Sequence, residues 1–149
     1  MKVVIQQSDF DVAREMAEIR KSHPEIGAMV NFVGLVRDFG EAGRVREMML
    51  EHYPGMTERC LEALLVEANE RWKIVDATVV HRVGSLLPGD QIVLVLVASH
   101  HRKEAFRAAE FLMDRLKTEA PFWKKEHTVE GWRWVDAKAS DEAASSEWM

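Results

Sequence analysis

Cysteine is almost absent from this sequence of 149 residues: Cys60 is the only one. A single thiol cannot form an internal disulfide or a zinc site built from several thiolates. The six histidines show no HExxH pair or other familiar metal-ligand spacing, which argues against a catalytic metal. We therefore expect chemistry that uses no metal and no other cofactor.

Long apolar runs are also missing. No segment is long enough to span a membrane, and the first residues, MKV, lead into a strand-like segment rather than a signal peptide. These absences predict a cytoplasmic protein with no membrane partner. No linker or repeat divides the chain, so we expect one domain over residues 1–149. Residues 136–149 form an acidic tail that we expect to be flexible unless Trp148 docks.

Positive charge is scarce overall but concentrated in one segment. The chain has 20 Lys and Arg against 25 Asp and Glu, a net charge of −5. A nucleic-acid-binding domain favours a basic face, so this balance argues against that function. Residues 99–127 depart from it, with seven Lys and Arg against five Asp and Glu. A locally basic segment in an acidic chain predicts a site for a small anion.

The apolar residues of this basic segment predict an amphipathic helix. They recur at spacings of three and four residues: Ala105, Ala109, Leu112, Met113 and Leu116. Ser99 is a good N-cap residue, and the residue before Pro121 is disfavoured in a helix. We therefore predict that the helix begins near Ser99 and ends before Pro121.

The cations of the segment lie at both ends of this predicted helix. His100, His101 and Arg102 fall in its first turn, where unpaired N–H groups and the helix dipole favour an anion. Lys117 lies at the other end, about 24 Å away at 1.5 Å per residue, followed by Lys124 and Lys125 on an extended piece. Either the two ends serve separate sites, or a second subunit supplies one of them.

The rest of the chain predicts an α+β fold. Strands are expected at 2–7, 27–36, 45–52, 74–81 and 92–98, and further helices from Ser8 or Asp9 to Lys21 and from Pro54 to Trp72. We expect strand 45–52 to form a hairpin with strand 27–36 across a mobile loop at 37–44. The continuous apolar run at 92–98 predicts a central strand covered on both faces. Together these give about three helices packed on a mixed, mostly antiparallel sheet.

Taken singly, the polar residues have ordinary interpretations. A lysine near a helix C-terminus is usually a solvated partner of the helix dipole. Cys60 lies on the apolar stripe of its helix, which favours a core residue over a nucleophile. Periodicity and charge alone therefore predict an anion-binding surface and no particular reaction.

Five ordered motifs carry a family resemblance. They are FVGLVR at 32–37, LEHYPGM at 50–56, HRVG at 81–84 with PGD at 88–90, SHHR at 99–102 and KTEAPFWKKE at 117–126. In this order they resemble the MoaE family, the large, catalytic subunits of molybdopterin synthase. The resemblance implies an α/β-hammerhead-like fold.

The resemblance also implies a reaction and its partners. The family is a sulfurtransferase that acts on cyclic pyranopterin monophosphate. Sulfur arrives on the thiocarboxylated C-terminal glycine of a small ubiquitin-like subunit, and two transfers form the dithiolene of molybdopterin. Two large subunits form a homodimer that carries two small subunits, giving a heterotetramer. Because the partner delivers the sulfur, no cysteine nucleophile is needed.

The resemblance implies site residues as well. Lys117 and Lys124 match the two catalytic lysines, with Lys117 at the tail terminus and reacting carbon and Lys124 holding the substrate. The implied substrate-binding residues are Phe32, Arg37, His101, Arg102, Met113, Lys124, Lys125 and Lys138. Lys138 stands where the family has arginine, and lysine lacks the bidentate fork for phosphate. A site shared across the dimer would bring His101 and Arg102 of one subunit to Lys117 and Lys124 of the other.

Two other functions remain as alternatives. The chain could be a binding module that docks the ubiquitin-like tail without turnover, although its retention of Lys117, Lys124, Arg37 and His101 argues against this. The basic segment alone could indicate a nucleic-acid-binding domain, although the net charge of −5 argues against that.

Overall fold

The computed structural model describes residues 1–40, 43–135 and 139–149. The strands are β1 Lys2–Gln6, β2 Ala28–Leu35, β3 Phe39–Gly40, β4 Gly43–Arg44, β5 Glu47–His52, β6 Asp76–Arg82, β7 Gly84–Leu86, β8 Gln91–Ser99, β9 Phe122–Thr128 and β10 Gly131–Val135. The helices are α1 Val12–Ser22, α2 Met56–Trp72, α3 Arg102–Glu119 and α4 Ala139–Ser146. The α+β prediction is confirmed, with four helices rather than about three in the described part of the chain.

The first sheet has the strand order β1-β6-β8-β2, and only its β1–β6 pair is parallel. The apolar β8 is internal, as its composition predicted. Val93, Val95 and Val97 pack into a core with α2 and α3 on one face. Leu94, Leu96 and Ala98 pack with α1 on the other face. The alternating side chains of one strand therefore hold three helices against the sheet.

The second sheet has the order β10-β9-β5-β7 and is antiparallel throughout. The predicted hairpin between β2 and β5 is wrong, because β2 pairs with β8 whereas β5 pairs with β7 and β9. The connection between them carries the chain from one sheet to the other. Val36 donates its N–H to the Asp90 carbonyl at 2.9 Å, and Arg46 donates to the His127 carbonyl at 2.8 Å. Within the described part of the predicted loop, β3 and β4 pair with each other.

The predicted helix starts need correction. Ser99 is the last residue of β8, where its carbonyl accepts a hydrogen bond from the Gly27 N–H at 3.0 Å. Strand pairing therefore uses Ser99, and α3 begins at Arg102 with His101 as N-cap. A Cβ on Gly27 would lie only 2.1 Å from the His100 carbonyl oxygen, so this close approach requires glycine.

The other two helices also begin later than predicted. α1 has Asp11 rather than Ser8 or Asp9 as its N-cap, and the Asp11 carboxylate accepts a hydrogen bond from the Arg14 N–H at 3.1 Å. Gly55 is the N-cap of α2, with a φ of 84°. Pro54 therefore precedes the helix instead of opening it.

The C-terminal segment packs against the body of the domain through Trp148, which is only 6% exposed. Its indole contacts Trp72 and Phe111 edge to face, and its Nε1 donates to the Asp114 carboxylate at 2.6 Å. The docking of Trp148 that the sequence left open therefore occurs. No helix in the described ranges is long and apolar enough to cross a membrane.

Candidate active site

A cleft of about 850 Å³ lies where the two sheets meet the C-terminal end of α3. Its apolar wall comes from both sheets and the helix: Phe32, Met48, Leu50, Met113, Leu116 and Phe122. Phe32 is 44% exposed although it is a large aromatic residue. A cleft of this size with an apolar wall and a few polar groups suits a small organic molecule.

Among the described residues, four cations line the cleft: Arg37, Lys117, Lys124 and Arg133. Two carboxylates, Glu126 and Asp141, also line it. Among the described residues no carboxylate forms an ion pair with Lys117. The described lining of the cleft therefore has more positive than negative groups and suits an anionic ligand.

The local sequence explains how Lys117 and Lys124 reach the same cleft. Lys117 lies in the last turn of α3. Ala120 then has an extended backbone, with φ −73° and ψ 131°, as expected for a residue before proline. The chain turns there into β9, whose alternate residues Phe122, Lys124 and Glu126 line the cleft together with Trp123 at the start of the strand.

The structure brings five of the predicted site residues together and places three others outside the cleft. Phe32, Arg37, Met113, Lys117 and Lys124 all line the cleft. His101 and Arg102 do not, because they lie at the opposite end of the 18-residue helix α3. At 1.5 Å per residue, Arg102 is about 22 Å from Lys117 along the helix axis. Lys138 lies outside the described residues.

Lys125 lies on the other face of the second sheet, as strand alternation requires. Its Nζ is 5.3 Å from the Trp132 ring centroid and 5.4 Å from that of Trp134. Both distances fall within the range of cation–π contacts. Within its own chain, Lys125 therefore contacts two indoles instead of lining the cleft.

His81 also lines the cleft, and we predicted no role for it from sequence. Its Nδ1 is 2.8 Å from the Arg82 carbonyl oxygen, and its ring stacks on Phe122 with a centroid distance of 3.8 Å. Burial lowers the pKa of His81 to about 4, with the nearby charges of Lys117 and His52 contributing. The sequence signal was its place in the HRVG motif at 81–84.

Cys60 lies outside the residues that line the cleft. Its thiol is half-buried on α2 and donates to the Glu119 carbonyl oxygen at 3.4 Å. Burial, and then the charge of Glu119, raises the pKa of the Cys60 thiol. A thiol with a raised pKa is a poor nucleophile, since the thiolate is the reactive form.

Known proteins resemble this chain over nearly its full length. The family described as MoaE protein matches residues 5–119. The molybdopterin synthase catalytic subunit of Ralstonia nicotianae is 56% identical over 144 residues, covering 97% of this chain and 82% of that protein. The molybdopterin biosynthesis MoaE protein of Burkholderia ambifaria has a TM-score of 0.85 and 54% identity, covering 99% of this chain and 97% of that one. Molybdopterin synthase from Staphylococcus aureus has a TM-score of 0.81 and 32% identity, covering 89% and 96%.

Proposed function

The chain belongs to the MoaE family, the catalytic subunits of molybdopterin synthase, and from that premise we propose which of its residues carry out the reaction. The reaction transfers sulfur from the thiocarboxylated C-terminal glycine of a small ubiquitin-like subunit to cyclic pyranopterin monophosphate. Two transfers form the dithiolene of molybdopterin. The catalytic subunit forms a homodimer, and with its two small subunits it makes a heterotetramer.

One observation carries the assignment of the site: Lys117 and Lys124, from different elements, line one apolar-walled cleft. Both reactants bring negative charge, since the substrate carries a phosphate and the small subunit ends in a thiocarboxylate. Among the described residues that line the cleft, four cations face two carboxylates. The apolar side chains of Phe32 and Met113 provide a surface for the flat pterin ring.

Lys117 acts at the reacting carbon in this proposal. The thiocarboxylate sulfur first bonds to the substrate carbon, and water then adds to the glycine acyl carbon. Negative charge develops on the acyl oxygen in that addition, where a nearby ammonium group stabilises it, and the acyl C–S bond then breaks to leave the sulfur on the substrate and a carboxylate on the glycine. As an amine, Lys117 can also transfer a proton. Lys124 holds the substrate and the singly sulfurated intermediate, because β9 directs its side chain into the cleft beside Lys117.

The phosphate is bound by Arg37 together with residues of the second large subunit. His101 and Arg102 lie at the start of α3, where N–H groups and the helix dipole favour an anion. They are about 22 Å from Lys117 of the same chain, so the partner subunit supplies them. Lys125 and Lys138 remain predicted substrate contacts, and the orientation of Lys125 in its own chain requires it to act across the dimer.

The proposal is tested by single-turnover sulfur transfer with purified protein, thiocarboxylated small subunit and cyclic pyranopterin monophosphate. We expect Lys117→Ala to lower the rate of dithiolene formation about 100-fold or more. Lys124→Ala should weaken substrate binding and also slow the reaction. The matched control is Lys21→Ala, which removes an exposed lysine in the last turn of α1 and should leave the rate unchanged.

The controls separate this proposal from the alternatives. The small subunit should bind Lys117→Ala as tightly as it binds the wild type. Wild-type protein that binds the small subunit without forming product would indicate a docking module. A rate in Lys117→Ala equal to that of Lys21→Ala would remove Lys117 from the reaction.

We place the reaction in the cytoplasm as part of the same proposal. The support is that curated relatives of the chain are bacterial biosynthetic enzymes. Cell fractionation should recover the protein with cytoplasmic markers, and recovery with periplasmic markers would contradict this location.

A further inference from the structure

Among the described residues, only one ring nitrogen of His81 has a hydrogen-bond partner. Nδ1 is 2.8 Å from the Arg82 carbonyl oxygen. A carbonyl oxygen can only accept, so Nδ1 carries the hydrogen and Nε2 of the neutral ring is an acceptor. Among the described residues, no group hydrogen-bonds to Nε2. The imidazole lines the cleft, so Nε2 is the nitrogen left for a ligand.

The orientation of the ring is fixed from two sides. The hydrogen bond to Arg82 holds the tautomer, and the stack on Phe122, at 3.8 Å and 18°, holds the ring plane. Phe122 lies two residues before Lys124 on the same strand and lines the same cleft. His81 therefore presents a preorganised acceptor beside the two lysines.

We propose that His81 Nε2 accepts a hydrogen bond from an N–H or O–H group of the bound pyranopterin, and so helps to select and orient the substrate. This inference rests on the proposed function, because it assigns a contact within the same cleft. The substrate's fused rings carry several N–H donors, whereas the phosphate and thiocarboxylate offer acceptors. Lysine and arginine side chains can satisfy the anions but cannot accept from the rings, so among the described lining residues the ring N–H groups must use the imidazole of His81 or the carboxylates Glu126 and Asp141.

A neutral imidazole suits this position better than a carboxylate. An aspartate or glutamate beside Lys117 would also accept hydrogen bonds, but its charge would cancel the positive charge that the anionic reactants need. Burial and the charge of Lys117 hold the pKa of His81 near 4, so the ring stays neutral at pH 7. That low basicity makes His81 a weak proton acceptor, which favours substrate binding over general-base catalysis.

The direct test is nitrogen NMR of histidine-labelled wild-type protein mixed with cyclic pyranopterin monophosphate alone. Without the sulfur donor the substrate does not turn over. We expect the Nε2 resonance of His81 to be that of an unprotonated nitrogen and to shift when substrate saturates the cleft. A saturated complex with an unshifted Nε2, or a free protein in which Nε2 carries the hydrogen, would overturn the inference.

Two variants and a matched control test the same contact through affinity. His81→Asn keeps a donor near the Nδ1 position but lacks an acceptor at Nε2, and we expect about tenfold weaker substrate binding. His81→Gln places an amide oxygen near Nε2 and should recover part of that loss. His127→Asn is the matched control, because His127 stacks on Trp132 at 4.9 Å and lies outside the cleft lining.

The pattern of results separates this inference from the proposed function. For His81→Asn, the loss should appear in substrate affinity, while the turnover rate at saturating substrate and the affinity for the small subunit change little. Equal binding by His81→Asn, His81→Gln and wild type would overturn the role of His81 while leaving the lysine assignments intact. Wild-type protein that binds no pyranopterin would overturn the proposed function itself, and this inference with it.

Discussion

Lys117, Lys124 and Lys125 are close in sequence but differ in their surroundings. Lys117 and Lys124 line the cleft, whereas Lys125 packs over two indoles on the other face of the second sheet. Their different surroundings follow from position: one lies at a helix end, and the other two are neighbours on a strand whose side chains alternate. Charge alone therefore could not assign their roles.

His81 gives a prediction for stability at acidic pH. The unfolded chain takes up a proton on this histidine near pH 6.5, whereas the folded protein does so only near pH 4. Between these values the unfolded state binds more protons, so the free energy of unfolding falls as the pH falls. The His81 contribution to this fall is at most about 3 kcal/mol.

Urea unfolding of wild type and His81→Asn between pH 4.5 and 7.5 measures this effect. Carboxylates also titrate in the range, so the difference between the two proteins isolates the histidine. The wild type should lose stability more steeply than the variant as the pH is lowered. Parallel curves would mean that His81 is not held neutral by burial.

At the scale of elements, the hydrophobic pattern predicted which side chains of a strand are buried better than it predicted which strands pair with each other. The run at 92–98 correctly indicated a strand covered on both faces, because burial of all its side chains is visible in composition. The β2–β5 hairpin was wrong because a period of two specifies which side chains share a face and not which strand lies alongside. Helix α3 begins later than predicted for a related reason. Ser99 is a good N-cap residue, but it is instead the last residue of β8, where it pairs with Ala28 of β2.

The C-terminal segment gives a prediction for stability. Its composition did not decide whether it is flexible or docks through Trp148. Trp148 is buried between Trp72 and Phe111, and Arg71 and Arg115 both donate to its carbonyl oxygen. We expect Trp148→Ala to lower the free energy of unfolding by about 3 kcal/mol. Met149→Ala is the matched control, since Met149 is 97% exposed. Equal chemical-denaturation curves for the two variants would show that docking of Trp148 contributes nothing to stability.

At the scale of the whole molecule, the length of α3 limits which cations of one chain can contact the same small ligand, and the sequence already predicts this limit. Its two cationic ends were expected to be too far apart for one small ligand, and the structure keeps them apart. The cleft itself could not be predicted from the pattern, because its wall joins residues from both sheets and from α3. The family resemblance nevertheless indicated five of the residues that line the cleft. A family resemblance can point to residues from different elements that share a site, whereas periodicity shows only which residues share one face of one element.

A site shared across the dimer predicts complementation between two inactive variants. Lys117→Ala and Arg102→Ala should each lose sulfur transfer. In a mixed dimer, however, one site combines the intact Lys117 of one subunit with the intact Arg102 of the other. Random mixing should therefore restore about a quarter of the wild-type number of active sites, because half the dimers are mixed and each has one intact site.

The measurement is single-turnover product formation after the two variants are unfolded, mixed and refolded together. Each variant refolded alone is the control, and both should remain inactive. If each subunit contained a complete site, the mixed dimers would have none intact and mixing would restore nothing. Recovery of activity would therefore show that the cations at the two ends of α3 act in one site supplied by two subunits, rather than in two separate sites.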